Sequence, residues 1–164
     1  MKPLLTPAEV LTHVFGTSHT LNERDIPLST ILAAEYRLLR PMLGSKLFDK
    51  LTSEEESPSP HIASLAEQLK TPLALHIVAL LLPSLAAHIG SLGVVRLEGE
   101  GFEKADEATL ARVVARLRHD ADALLDAATD YLLAHHELYP DYDHAANIRR
   151  RVVFGGGVVM DRGV

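Results

Sequence analysis

The chain has 164 residues, 47% of them hydrophobic, enough for one domain with a buried core. It carries no cysteine, which excludes disulfides, thiolate chemistry and cysteine-ligated zinc; with no tryptophan and only 5% aromatics, the core must rest on Leu, Ala, Val and Ile, a composition that favours helices. A net charge of −6 and a pI near 5.8 argue against a general nucleic-acid binder, which needs a strongly basic face.

Prolines and a glutamate within residues 1–11 interrupt what would have to be a continuous apolar core, so no export signal is expected. Thr6, Pro7 and Glu9 instead make a helix start: a capping hydroxyl, proline at the first helical position, glutamate at the third. The helix is expected to be short, ending near Phe15 and Gly16, with a polar loop over 17–24. Asp25, Ile26 and Pro27 open a second helix, 28–40. Its Leu28, Ile31, Leu32, Leu38 and Leu39 fall at helical spacing, and Pro41 is expected to stop it. A turn over 41–44 leads to a brief helix, 45–51, carrying Leu47, Phe48 and Leu51. The stretch 52–60, with three glutamates, three serines and two prolines, reads as a solvated loop.

Residues 61–69 return to helical spacing through Ile62, Leu65, Ala66 and Leu69, and Thr71 with Pro72 is expected to launch a new helix. Residues 73–89, LALHIVALLLPSLAAHI, contain no charge at all. Apolar residues all round a helix mean burial on every side, so this is predicted to be the central helix of the domain, kinked at Pro83. A membrane span is the rival reading. The stretch is shorter than the about 20 residues a bilayer requires, Pro83 interrupts it, and His76 and His88 would sit in hydrocarbon.

Past Gly90, residues 92–97 read as a strand and 98–102 as a turn, together a small β-hairpin. The longest helix is predicted over 105–136, on a stripe of Leu110, Val113, Leu117, Ala121, Leu124, Ala128, Tyr131 and His135. Pro140 closes the helical body, so residues 1–140 form the domain and 141–164 an extended C-terminal arm. The arm carries Arg149, Arg150 and Arg151, then Val152, Val153 and Phe154, three glycines, and Val158, Val159 and Met160. Such short β-type pieces are not stable alone, so they are expected to dock on the body or on another chain, as added strands do.

Nine histidines raise the question of a metal, but none has a ligand spacing. His135, His136 and Glu137 do not make the H-E-x-x-H arrangement, and His76 and His88 lie about 120° apart round a helix. Asp141, Tyr142, Asp143 and His144 gather donors without the loop of a calcium site. Gly155, Gly156 and Gly157 lack the lysine and hydroxyl of a phosphate loop, and Ser84 and Ser91 lack the context of a nucleophile. Catalytic, cofactor-binding and metal-ligating residues are therefore not predicted. One further feature points to interaction. Asp122, Asp126 and Asp130 stand at i, i+4 and i+8, a row that costs a helix about 0.2–0.5 kcal/mol per like-charged pair. A solvated face explains it; so does a basic partner, for which Arg149, Arg150 and Arg151 of a neighbouring copy would serve.

Several tokens then fall together: Leu4-Leu5-Thr6-Pro7-Ala8-Glu9, Ala33-Ala34-Glu35-Tyr36-Arg37, Leu39-Arg40-Pro41-Met42-Leu43-Gly44 with Leu47-Phe48-Asp49, and the Ala/Leu-rich central helix. Phe102-Glu103-Lys104-Ala105-Asp106 follows, then a long helix ending Tyr131-Leu132-Leu133, with Tyr139-Pro140 after it. This pattern resembles a family of small helical proteins from Bacteroidetes and their prophages, similar in turn to head–tail connector (head-completion, adaptor) proteins of tailed phages. The resemblance implies a non-enzymatic structural subunit, cytoplasmic in the host and then part of the particle. Such a subunit forms a homo-oligomeric ring between portal and tail proteins, lets DNA pass without specific binding, and uses neither cofactor nor membrane. The expected fold is mainly α: a bundle of four to five helices with a kinked central helix, a small hairpin and the arm. A histidine-using metal- or ligand-binding helical enzyme and a monomeric regulatory protein-binding module are the rivals from other classes.

Overall fold

The computed structural model describes residues 2–17, 22–53, 58–86, 88–90, 93–95, 107–145, 147–148, 153–155 and 158–160, with the backbone alone for 86, 88–90, 93–95, 153–155 and 158–160. The fold is mainly α. Helix α1 (Pro7–Phe15) begins at a complete capping box: the Glu9 amide donates to Thr6 Oγ1 at 3.2 Å and the Thr6 amide donates to Glu9 Oε2 at 2.8 Å. It ends at Gly16, whose φ of 69° only glycine adopts without cost.

Helix α2 (Leu28–Leu43) passes through Pro41, where the sequence predicted a stop. Proline deletes one amide, but Met42 and Leu43 beyond it are fully buried, and that burial outweighs the lost hydrogen bond. The actual break is Gly44, at φ 79°, which turns the chain into α3 (Ser45–Leu51). A Cβ at Gly44 would lie 3.4 Å from that of Asp143, so the turn also lets the C-terminal segment approach. In α3, Leu47, Phe48 and Leu51 are buried, as their spacing predicted.

Helix α4 (Pro60–Ala86) is longer than expected at its start and shorter at its end. It runs through Pro72, the residue expected to begin it, and through Pro83. The reason is a seam that ignores Pro72: Leu65, Leu69, Leu73, Ile77 and Leu81 recur every four residues and all are buried. By length and hydropathy α4 could cross a membrane (mean hydropathy 1.3), yet every residue from 71 to 82 is buried or half-buried within the fold. It packs chiefly against α5 and α1, and also touches α2 and α3. Lys70 pins it to α1, with Nζ 3.1 Å from Glu9 Oε1 and 2.6 Å from Glu67 Oε1.

The hairpin expected over 92–102 is not supported. Backbone pairing instead joins β1 (His88–Gly90) to β2 (Gly93–Val95), antiparallel with Ile89 opposite Val94, so the reversal comes seven residues earlier than the Glu/Gly-rich turn predicted. Residues 96–106 lie outside the described residues.

Helix α5 (Glu107–Ala134) spans about 42 Å at 1.5 Å per residue and ends two residues before the predicted 136; the predicted start at 105 lies outside the described residues. A 3₁₀ turn, His136–Leu138, follows it. Packing does not stop at Pro140. Tyr139 is 2% exposed and donates its hydroxyl to the His61 carbonyl at 3.1 Å, tying the end of α5 to the start of α4. Tyr142 is buried, Asn147 is fully buried and donates to the Tyr142 hydroxyl at 2.8 Å, and Lys50 of α3 pairs with Asp141. The helical body therefore reaches at least Asn147, because aromatic and amide side chains there fill the core margin. Of the remainder, the described residues form β3 (Val153–Gly155) paired with β4 (Val158–Met160), antiparallel, with Phe154 opposite Val159.

Candidate functional site

Among the described residues, the outer surface of α5 carries a run of exposed charged and apolar side chains. Ala121, Leu125, Ala128, Thr129 and Leu132 face inward and are buried, extended toward the N-terminus by half-buried Leu117, Val114 and Leu110. The predicted stripe was one residue out of phase at two positions. Val113 is 44% exposed and Leu124 42% exposed, because the apolar band on α5 is wider than the face α4 covers.

Two flanks border the buried seam. One carries the acidic row: Asp122 is half-buried, Asp126 and Asp130 are exposed, and the row drifts about 40° per turn away from the body. The other carries Val113, Arg116, Asp120 and Leu124, with Arg116 Nε 3.8 Å from Asp120 Oδ2. Of the arm residues named from the sequence, Arg149, Arg150, Arg151 and Val152 lie outside the described residues. Val153, Phe154, Val158, Val159 and Met160 enter only as backbone of the β3–β4 pair.

Among the described residues the histidines do not converge. His13 Nδ1 lies 3.1 Å from the Thr71 hydroxyl, joining α1 to α4, and His135 Nδ1 lies 2.9 Å from the Tyr131 carbonyl one turn back on α5. Among the described residues no three His, Asp or Glu side chains are placed to hold a metal ion, Asp141, Asp143 and His144 included. Asp143 instead accepts the Ala145 amide at 3.1 Å, a turn bond. An open cleft of about 570 Å³ lies between Lys2, Leu4, Lys50, Ile62, Glu67 and Lys70. Lys50 and Lys70 are engaged there by Asp141, Glu9 and Glu67.

One buried charge escaped the sequence reading. Glu35 of α2 is completely buried; the Leu4 amide donates to its Oε1 at 2.7 Å, and Oε2 has no hydrogen-bond partner among the described residues. Burial pushes its pKa above the ordinary carboxylate value, with the amides of Leu4 and Leu5 pulling the other way. Its signal was spacing: Ile31, Glu35 and Leu39 share one face at i, i+4 and i+8.

A family model described as "Family of unknown function (DUF6712)" matches residues 39–152, from the second half of α2 through α5 and past Asn147. The chain belongs to this family. The matched span holds α3, α4, α5 and both flanks of α5, while α1 with its capping box precedes it. That description carries no activity, substrate or partner. No curated protein matches the chain, and no solved structure does.

Proposed function

We propose that the protein is a structural, non-enzymatic adaptor subunit of a phage or phage-derived particle, forming a homo-oligomeric ring that bridges portal and tail proteins. The observation that carries this reading is the charge layout of a single chain. Asp122, Asp126 and Asp130 follow the outer side of α5 at one-turn intervals, and the same chain supplies Arg149, Arg150 and Arg151 after its helical body. A patch and its complement on one chain make a head-to-tail contact, and such contacts close into rings when the rotation permits. The resemblance to head–tail connectors supplies the particle. In this reading Val152, Val153, Phe154, Val158, Val159 and Met160 reach the portal or tail component. Carboxylates toward the lumen repel DNA phosphates, so DNA passes without specific binding. The subunit needs no cofactor and no membrane, and moves from the host cytoplasm into the particle.

Negative-stain electron microscopy of the protein mixed with a purified portal ring is the test. At low salt, where the Debye length is roughly 15 Å or more, rings of this protein seated on the portal are expected. The variant carrying Asp122→Ala, Asp126→Ala and Asp130→Ala should form clearly fewer. If it assembles as well as the native chain, the row is only solvent-facing and the lateral contact is lost from this reading. If the native chain ignores the portal, the adaptor role goes with it.

A further inference from the structure

The exposed flank of α5 has a two-fold pattern along its length, beyond the i, i+4 pairing of Arg116 with Asp120 within the helix. Val113 and Leu124 are eleven residues apart, about 1,100° of helix rotation, which returns them to nearly the same side. Both are large apolar side chains left more than two-fifths exposed. Between them on that side stand Arg116 and Asp120, their side chains 85% and 50% exposed. Val113 and Leu124 lie equally far from the midpoint between Arg118 and His119, and Arg116 and Asp120 equally far from Arg118. The two centres coincide to within about 1 Å along the axis.

From this arrangement we infer that the flank is a contact between two copies of the chain, their α5 helices antiparallel about a two-fold axis that crosses the flank between Arg116 and Asp120, at the height of Arg118 along the helix. A two-fold axis there sets Val113 of one copy against Leu124 of the other and Arg116 against Asp120, then repeats both pairs in reverse. Every element is satisfied twice: two apolar pairs flank two opposite-charge pairs. The parallel arrangement in register would put Arg116 beside Arg116 and Asp120 beside Asp120, which like-charge repulsion disfavours. A partner of uniform charge would match one half of the flank and be repelled by the other. The chain's own sequence, reversed, complements it at all four positions. Exposed Ala127 and Thr109, placed equally about the same centre, keep the ends of the contact small. A two-fold contact of this kind closes at two copies and builds no ring, so it is separate from the lateral contact of the proposed adaptor. Either can fail without the other.

The absence of cysteine from the sequence makes the register directly readable. Val113→Cys and Leu124→Cys are made separately in the full chain, with tags of different size, then mixed and oxidised. Both positions are exposed, so helix content by circular dichroism should not change. The mixed 113–124 disulfide is expected to exceed either self-crosslink about tenfold, an order set by the cost of like-charge juxtaposition in the competing register. Charge reversal gives an independent reading. Arg116→Asp and Asp120→Arg should each weaken self-association at least about tenfold in sedimentation equilibrium. Mixing the two restores a dimer, because each now carries the charge the other lacks. Predominant 113–113 and 124–124 crosslinks overturn the antiparallel register. A native chain that stays monomeric up to the highest soluble concentration overturns the contact itself, and so do reversed variants that associate as well as the native chain.

Discussion

Glu35 shows what one side chain does when burial and hydrogen bonding oppose each other. Its Oε1 holds the Leu4 amide at 2.7 Å, which keeps the segment before α1 on α2 and seats Leu5 fully in the core. Its charge, however, is buried beside an oxygen without a partner among the described residues. Glu35→Ala removes the acceptor and leaves the Leu4 amide unsatisfied, a loss expected to cost about 1–3 kcal/mol in urea unfolding. Glu35→Gln keeps an acceptor and removes the charge, so it should cost far less. The pH dependence has a definite sign. Because the folded-state pKa lies above the ordinary 4.5, the stability contributed by protonating Glu35 is fully present below that value and lost as pH rises through the folded pKa. Relative to Glu35→Gln, the native chain should therefore be least stable near neutrality, and the gap should close as pH falls to about 4.5. Unfolding midpoints of both proteins between pH 4 and 7 measure it; a gap that widens on acidification contradicts the assignment. The sequence held this residue in plain sight at the Ile31–Leu39 spacing. A hydrophobicity pattern skips a carboxylate, because it scores residue type rather than the position's neighbours.

At the scale of elements, capping hydroxyls and glycines mark helix boundaries well and prolines mark them poorly. The Thr6–Glu9 box and Gly44 act where their own hydrogen bonds and φ angles dictate, independent of the rest of the chain. Pro41 and Pro72 were read as boundaries and are not. A proline inside a helix costs about 3 kcal/mol, which flanking residues such as Leu69 and Leu73, each fully buried, more than offset. Only tertiary packing settles that contest, and a single sequence does not display it. The junction of α4 and α5 makes a second test of element-level reasoning. Tyr139 joins the two helices through the His61 carbonyl, and Tyr139→Phe should lower stability by about 1 kcal/mol. Burial, reinforced by the neighbouring Tyr131, pushes the Tyr139 pKa up to about 12. A raised folded pKa means the contribution is present below the ordinary 10 and lost as pH climbs toward about 12. The advantage of the native chain over Tyr139→Phe should thus shrink between about pH 10 and about pH 12 in chemical denaturation. A constant difference across that window would place the hydroxyl in solvent.

For the whole molecule, the question is where the body stops. Composition led to Pro140, the last proline, followed by charges and glycines that look like a tail. Three observations carry the body further: the Lys50–Asp141 pair, the burial of Tyr142 within the core cluster, and Asn147, fully buried and bonded to the Tyr142 hydroxyl. The first is invisible in a linear pattern because it depends on α3 and the C-terminal segment meeting across some ninety residues, beside the turn Gly44 makes; the other two depend on burial that only the folded chain displays. Two truncations isolate their contribution. Chains ending at residue 148 and at residue 140 both lack the Arg149–Arg151 run and the β3–β4 pair, so their difference reports residues 141–148 alone. Deleting a buried aromatic side chain costs about 3–5 kcal/mol when the site cannot collapse. The shorter chain should accordingly unfold at lower urea by at least about 2 kcal/mol, after allowance for the margin position of Tyr142. Equal stability of the two would mean that the segment rests on the body without supporting it. In that case the boundary at Pro140 would stand, and the long exposed α5 would be held by α4 and the Tyr139 tie alone.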